Sequence, residues 1–315
     1  MLKVRQTSIL LLRLALTSIA MLIAYMLGTM LIGQTGANGW GTPALSPEEA
    51  SQTGKALLLV SLVSALVLSF LILRSRWHGL KLVGAAFLVH FGVETFMTQI
   101  ETLYFNRAVQ VQTPMLVGIV AAGALRALIF APLAVLILGK MRKPAQPQAK
   151  GGTAATGRGK RFVALALLYV VVYFLFGYFV AWQWEETRLY YTGKAAIKPF
   201  FTHFWDLFVR GDPVILPFQV LRGALWALLS AVIVQMIEAK RWQVSLAVGL
   251  TFAVLVALPL GVFPNPYMPP MVVRSHFVEI VSSMLLFGGI AGWTLYGNKE
   301  QHVATLKYSH RKQEV

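Results

Sequence analysis

The sequence predicts an all-α, polytopic integral membrane protein with eight transmembrane helices. Hydrophobic residues make up 57% of its 315 residues, and charged residues make up only 13%. The mean hydropathy of +0.66 lies far above that of a water-soluble domain. Eight successive apolar segments have about the 20 residues that a helix needs to span a bilayer. A water-soluble core is excluded, and the absence of cysteine excludes disulfides, thiolate metal sites and cysteine catalysis.

Residues 1–140 are predicted to form a first repeat of four spans. The first apolar run extends from Ile9 to Ile32, which is longer than the roughly 7–15 apolar residues of a secretion signal. It is therefore predicted to be an uncleaved first span. Three further spans follow, separated by short polar connections.

The second half is predicted to repeat this organisation after a linker. Residues 141–161 are rich in Pro, Gly, Ala and basic residues, which indicates a flexible cytoplasmic linker. Residues 162–297 form a second repeat of four spans, and residues 298–315 form a basic cytoplasmic tail. In the long loop of this repeat, aromatic residues at helical spacing near 199–210 predict an interfacial helix on the outer membrane surface.

Lys and Arg residues are distributed unequally between alternate connections. Eighteen of the 28 fall at the two termini and in the connections on the same side, and seven fall on the opposite side. By the positive-inside rule, both termini are predicted to be cytoplasmic. The net charge of +16 therefore reflects membrane topology, and nucleic acid is not an expected partner.

An internal duplication relates the third span to the seventh. Six positions match in register, and each half begins on the cytoplasmic side, so the halves are predicted to be parallel repeats about an axis normal to the membrane. The matching positions are Arg76, Trp77, Val83, Gly84, Phe87 and Val89 in the first half, and Arg241, Trp242, Val248, Gly249, Phe252 and Val254 in the second.

The third span carries ionisable residues within an apolar segment of membrane length. At about 100° per residue, His90, Glu94 and Glu101 return to nearly one helical face. Ionisable side chains at bilayer depth are costly and usually turn inward to a partner, which makes this stripe the first candidate for a functional site. Arg126 lies near the middle of the adjacent antiparallel span and is the predicted partner of Glu94.

Further ionisable residues in the outer halves of the sixth and eighth spans predict one polar pocket that opens toward the outer face. Its arginines favour an anionic small molecule or a lipid headgroup, bound for transport or sensing, with the carboxylates holding the arginines in place. This interpretation favours binding over catalysis and requires no cofactor. The predicted ligand-binding residues are Glu94, Glu101, Arg126, Arg222, Arg274, His276 and Glu279.

Two alternatives remain open at this stage. In the first, the pairs His90 with Glu94 and His276 with Glu279 have metal-ligand spacing and bind a divalent ion for catalysis or metal transport. Nearby arginines would repel that cation. In the second, the chain is a structural or assembly subunit whose buried charges only fix the register of its helices.

Several short segments resemble uncharacterised bacterial polytopic inner-membrane proteins. The resemblance covers the second half best, and it implies a bacterial inner-membrane location without implying an activity. The segments contain Trp182 and Gln183 at a span end, then Pro217, Phe218, Gln219, Arg222 and Gly223, and finally Asn265 to Pro269 followed by Arg274, His276 and Glu279.

The predicted topology can be tested with single cysteines, because the chain has none of its own. Cysteines placed at Ala44 and Lys194 should react with a membrane-impermeant thiol reagent in cells stripped of the outer membrane, whereas a cysteine at Ala149 should react only after lysis. Labelling at Ala149 without labelling at Ala44 would reverse the orientation.

Overall fold

The computed structural model describes residues 2–37, 47–142, 158–265 and 267–313. Within these ranges it is all-helical, with eight helices that are long and apolar enough to cross a membrane. The predicted helical class is therefore confirmed, and the eight candidate membrane-spanning helices agree in number with the predicted spans. Most of the predicted linker, residues 143–157, lies outside the described residues.

The long helices are labelled α1 to α8 in chain order. Shorter helices lie in the connections, at Asn106–Val109, Ala181–Gln183, Glu185–Thr192 and Phe200–Trp205. The last of the eight, α8, continues through most of the predicted tail. The bounds of α1 to α8 are Leu2–Ala37, Pro47–Leu73, Gly79–Tyr104, Thr113–Ile137, Arg158–Phe179, Ile215–Met236, Arg241–Val262 and Pro270–Gln313.

Local sequence explains where several of these helices begin and end. Pro114 occupies the first turn of α4, where its missing N–H costs nothing and its fixed φ suits a helix. Gly139 follows α4 with φ of +75°, and Gly193 follows Glu185–Thr192 with φ of +67°. Glycine adopts this left-handed conformation without a Cβ penalty, so both residues act as C-terminal stops.

The two halves meet through their inner helices. Helix α2 packs on α7, and α3 packs on α6. In the predicted repeat α2 corresponds to α6 and α3 to α7, so a two-fold axis would interchange these two contacts. The connections α2–α3 and α6–α7 also pair directly, since the Arg76 N–H donates to the Met236 carbonyl at 2.9 Å and the Glu238 N–H donates to the Arg74 carbonyl at 2.9 Å. The contacts are compatible with the predicted repeat, which itself stays a prediction.

The helix predicted near residues 199–210 is present. It spans Phe200–Trp205 and continues as a wider π-helical turn at Asp206–Gly211. One face packs on α5, where the rings of Phe204 and Phe208 lie 5.2 and 5.1 Å from that of Phe174. The opposite face is exposed. Its position on a membrane surface stays a prediction.

Helices α7 and α8 approach each other closely, and the approach depends on glycine. A Cβ at Gly288 would lie 2.8 Å from the Gly249 Cα, and a Cβ at Gly292 would lie 2.8 Å from the Ser245 Cα. Small residues let helix backbones approach closely, which gains dispersion contacts along the pair. The neighbouring atoms are backbone, so they cannot move aside as a side-chain tip could.

We expect Gly288→Ala to lower the free energy of unfolding by about 1–3 kcal/mol, the usual cost of overpacking. Thermal denaturation of the purified protein in detergent would measure the change. Gly177→Ala in α5 is the matched control, because nothing lies within 4 Å of its Cβ position. The control should be neutral or slightly stabilising, since alanine is the better helix former. Equal losses in both variants would show that the glycines do not set this approach.

Candidate functional site

Helix α3 is not a uniform α-helix. Residues Phe91–Phe96 form a π-helical turn, and four consecutive residues within it are buried, Glu94 and Thr95 among them. A π-helical turn is wider than an α turn and therefore shifts the phase of the residues around it. Such turns are frequent at functional sites. Here the turn directs the carboxylate and the adjacent hydroxyl into the interior.

Side chains from three helices converge on the Glu94 carboxylate, and we call Tyr25, His90, Glu94 and Arg126 the Glu94 cluster. The Tyr25 hydroxyl donates to Oε1, and Arg126 Nη2 lies 2.7 Å from the same oxygen. His90 Nε2 lies 3.0 Å from Oε2. The predicted pair of Glu94 and Arg126 is confirmed.

Arg126 is held on more than one side. Its Nη2 donates to Thr95 Oγ1 at 3.1 Å, and its guanidinium carbon lies 4.2 Å from the centroid of the Tyr25 ring. This cation–π contact adds to the ion pair. Tyr25 is the member of the cluster that sequence analysis missed, because a tyrosine in an apolar span is unremarkable by periodicity.

A second group of polar side chains is organised around Arg222. Its Nη1 lies 2.7 Å from Glu101 Oε1 and its Nη2 lies 2.5 Å from Oε2, which is a bidentate pair. The two partners differ in burial. The Arg222 side chain is 3% exposed, whereas that of Glu101 is 32% exposed.

Two polar atoms beside Arg222 are buried without a hydrogen-bond partner. They are Arg222 Nε and Gln219 Nε2, whereas Trp226 Nε1 donates to the Tyr169 hydroxyl. Gln219, Arg222 and Trp226 lie on one face of α6, and the Tyr169 ring of α5 lies across it, 5.6 Å from the Arg222 guanidinium carbon. Both unpartnered atoms can only donate. Because a buried donor without an acceptor costs about 1–3 kcal/mol, this surface is suited to an oxygen-rich group.

A histidine completes this end of the helix bundle. The Tyr191 hydroxyl lies 3.0 Å from His276 Nε2, and His276 Nδ1 lies 3.0 Å from Glu279 Oε2. Burial raises the pKa of Tyr191, and the nearby Tyr190, Glu101 and Glu279 raise it further. Tyr191 therefore stays protonated. The Glu279 carboxylate can only accept, so Nδ1–H of His276 donates to it.

The charges of Glu101 and Glu279 both act on Tyr191 and on Tyr173 of α5. The Arg222 pair and the histidine pair therefore lie near each other. We call the residues around both pairs the Arg222 cluster, which comprises Glu101, Tyr169, Tyr173, Tyr191, Gln219, Arg222, Trp226, His276 and Glu279.

The structure therefore divides the predicted single pocket. Glu101, Arg222, His276 and Glu279 come together, whereas Glu94 and Arg126 belong to the separate Glu94 cluster. Arg274 joins neither cluster. It is exposed, its Nη1 lies 3.8 Å from Met271 Sδ, and it forms no ion pair with a carboxylate among the described residues.

The position of Arg274 has a simple geometric reason. At 100° per residue, Arg274 lies about 160° from His276 and about 140° from Glu279 around α8. The three residues were predicted to lie together because they have similar depths in the span. They lie on different sides of the helix, and this separates their side chains. The predicted partnership of Glu279 with an arginine is accordingly replaced by its contact with His276.

The metal alternative finds little support in this geometry. His90 with Glu94 and His276 with Glu279 belong to different clusters. In the described part of the chain, no three His, Cys, Asp or Glu side chains form a group that could hold a metal ion. His90 contacts the Glu94 carboxylate, and His276 contacts the Glu279 carboxylate and the Tyr191 hydroxyl.

Comparisons of the chain with protein-family models, with curated proteins and with solved structures find no significant match. The resemblance to bacterial inner-membrane proteins therefore stays a prediction. The chemistry of the site therefore follows from its own residues and their geometry.

We expect Glu94→Gln or Arg126→Gln alone to lower the free energy of unfolding by about 3–5 kcal/mol, because each leaves a buried charge unpaired. The double variant should recover much of that loss. Denaturation of all four proteins in one detergent gives the coupling energy of the pair.

The matched control is the surface pair of Asp206 and Arg210, which are 3.4 Å apart and of which the Arg210 side chain is 76% exposed. Asp206→Asn and Arg210→Gln should show no measurable coupling, because solvent screens the pair. Simple additivity at Glu94 and Arg126 would mean that their contact does not stabilise the fold.

Proposed function

We propose that this chain is a multi-pass protein of the bacterial inner membrane whose Arg222 cluster binds an anionic ligand from the outer side, for transport or sensing. The ligand group is a carboxylate or a phosphate, carried by a small molecule or by a lipid headgroup. Both termini are cytoplasmic, which places the Arg222 cluster near the outer ends of the spans.

The unequal burial of Glu101 and Arg222 carries this proposal. A buried arginine needs an anion at all times, because an unpaired charge in a low-dielectric interior is strongly destabilising. Glu101 supplies that anion, yet almost a third of its side chain is exposed. We infer that Glu101 occupies the position of the ligand and that an incoming anion displaces it from Arg222.

The unpartnered donors favour an oxygen-rich ligand. When Glu101 uses both terminal nitrogens of Arg222, the Nε of that guanidinium and the amide nitrogen of Gln219 still lack acceptors. A phosphate has more acceptor oxygens than the Glu101 carboxylate. A carboxylate ligand has the same number, but it is not tied to α3 and can turn toward these atoms. Aromatic rings of Tyr169 and Tyr173 near Arg222 exclude water and strengthen the charge interactions.

The proposed two-fold repeat places this site between the halves. In each half, an arginine near the start of the first span donates to a carbonyl near the end of the fourth. Arg13 Nη1 lies 3.4 Å from the Leu138 carbonyl, and Arg161 Nη1 lies 2.9 Å from the Thr294 carbonyl. Equivalent contacts at equivalent places support parallel repeats, with Glu101 from one half and Arg222 from the other.

The test uses thermal denaturation in detergent with two probes, inorganic phosphate and phosphatidylglycerol. We expect Glu101→Gln to lower the melting temperature when anions are scarce, because Arg222 loses its partner. Added probe should then raise it by several degrees more than in the unchanged protein, since no internal carboxylate competes. Arg222→Gln should abolish the response to both probes. A response to the lipid alone assigns a headgroup, and a response to phosphate alone assigns a small anion.

Arg210→Gln and Glu186→Gln are the matched controls, because both residues are exposed in the α5–α6 connection. Their probe responses should equal that of the unchanged protein. If Glu101→Gln is destabilised and neither probe restores it, the pair is only structural and the proposal is wrong. A metal retained in near-stoichiometric amount and lost in His276→Ala would instead favour the metal alternative.

A further inference from the structure

The Glu94 cluster contains more ionisable groups than charge balance requires. Glu94 and Arg126 neutralise each other at 2.7 Å, so the pair needs no third charge. His90 is nevertheless packed beside them with no exposure to solvent. An apolar side chain could fill this position without the cost of burying an imidazole. The presence of a titratable group at such a depth points to a function.

The two nitrogens of His90 have different surroundings. Nε2 lies 3.0 Å from a Glu94 carboxylate oxygen, which can only accept, so Nε2 carries the proton of the neutral ring. Nδ1 is then a lone-pair acceptor. It is buried and has no hydrogen-bond partner. The ring is fixed by this hydrogen bond and by the edge-on contact with Phe130, whose centroid lies 5.5 Å away.

We propose that the Glu94 cluster is a proton-binding site, in which Nδ1 of His90 takes up one proton from water while Glu94 remains ionised. The cluster then changes from neutral to singly positive. This inference does not rest on the proposed anion site, which shares no residue with it.

The carboxylate couples this proton to the packing of the helices. Glu94 holds Arg126 through Oε1 and His90 through Oε2. When His90 becomes a cation, two positive charges share one carboxylate, and the hold on Arg126 weakens. Arg126 also contacts Thr95 on α3 and Tyr25 on α1. Proton uptake therefore loosens α4 from α3 and α1 at the π-helical turn.

The titratable groups that face His90 come from three helices. They are Glu94 on α3, Arg126 on α4 and Tyr25 on α1. Helices α2, α6 and α7 carry no titratable side chain at this depth. Burial and the charge of Arg126 oppose the added proton, and Glu94 favours it, so proton affinity depends on the balance between Glu94 and Arg126.

The test follows the protonation of His90 by solid-state NMR of the full-length protein in lipid bilayers, labelled with nitrogen-15 at histidine. The chain has six histidines. Replacing the other five one at a time by glutamine assigns the His90 signal while leaving the Glu94 cluster intact. We expect this signal to change from that of a neutral ring to that of a cation as the pH falls, and its midpoint is the quantity compared between variants.

Arg126→Gln removes the competing cation and should raise that midpoint by at least one pH unit, a tenfold gain in proton affinity. Arg274→Gln is the matched control, because it removes the same charge from an exposed position outside both clusters and should leave the midpoint unchanged. A His90 signal that stays neutral from pH 5 to 9 in the unchanged protein would overturn the proposal. So would equal shifts in the two arginine variants.

Discussion

An arginine in an apolar interior needs a carboxylate, and α3 supplies one to Arg126 and one to Arg222. Glu94 pairs with Arg126 of the same half, and Glu101 pairs with Arg222 of the other half. Removing either carboxylate leaves an arginine in the apolar interior without a counter-charge. Helix α3 therefore fixes how α4 and α6 pack, and Glu101 links the two halves of the chain through one bidentate contact.

The features that follow from hydropathy and charge were predictable. Span number depends on apolar length, and the pair of Glu94 and Arg126 follows from depth on adjacent antiparallel spans. The division into two clusters was not predictable, because it arises from the π-helical turn at Phe91–Phe96. A uniform period of 3.6 residues places Glu94 and Glu101 on one face, and a wider turn shifts that phase.

Aromatic partners were missed for a different reason. Tyr25, Tyr169 and Tyr191 each lie against a charged group, yet tyrosine is common in helices of this kind and its neighbours come from distant parts of the chain. One signal was available in the sequence. Tyr25 follows Arg13 at the same interval as Tyr173 follows Arg161, and both tyrosines lie near a buried arginine. Alignment of the first and fifth spans would have indicated Tyr25 and Tyr173.

That alignment also shows how the halves differ. Both first spans carry the arginine that contacts the fourth span and the tyrosine that approaches a buried arginine. The carboxylates, however, both lie on α3, and the corresponding α7 has none. The predicted repeat thus carries an unduplicated set of charges. Such asymmetry is what a protein needs if two chemically similar sites are to do different things.

Burial decides what each ion pair can do. The Glu94 side chain is 2% exposed and is held by three donors, so a competing anion would have to lose its hydration and break all three contacts. Glu101 is 32% exposed, and its contacts are to Arg222, so an anion can approach while Glu101 returns to water. A carboxylate and a guanidinium therefore form a permanent ion pair at Glu94 and Arg126. At Glu101 and Arg222, the same two groups form a pair that an external anion can exchange with. A proton, which needs no space, is the one ion that the closed Glu94 cluster can admit without opening.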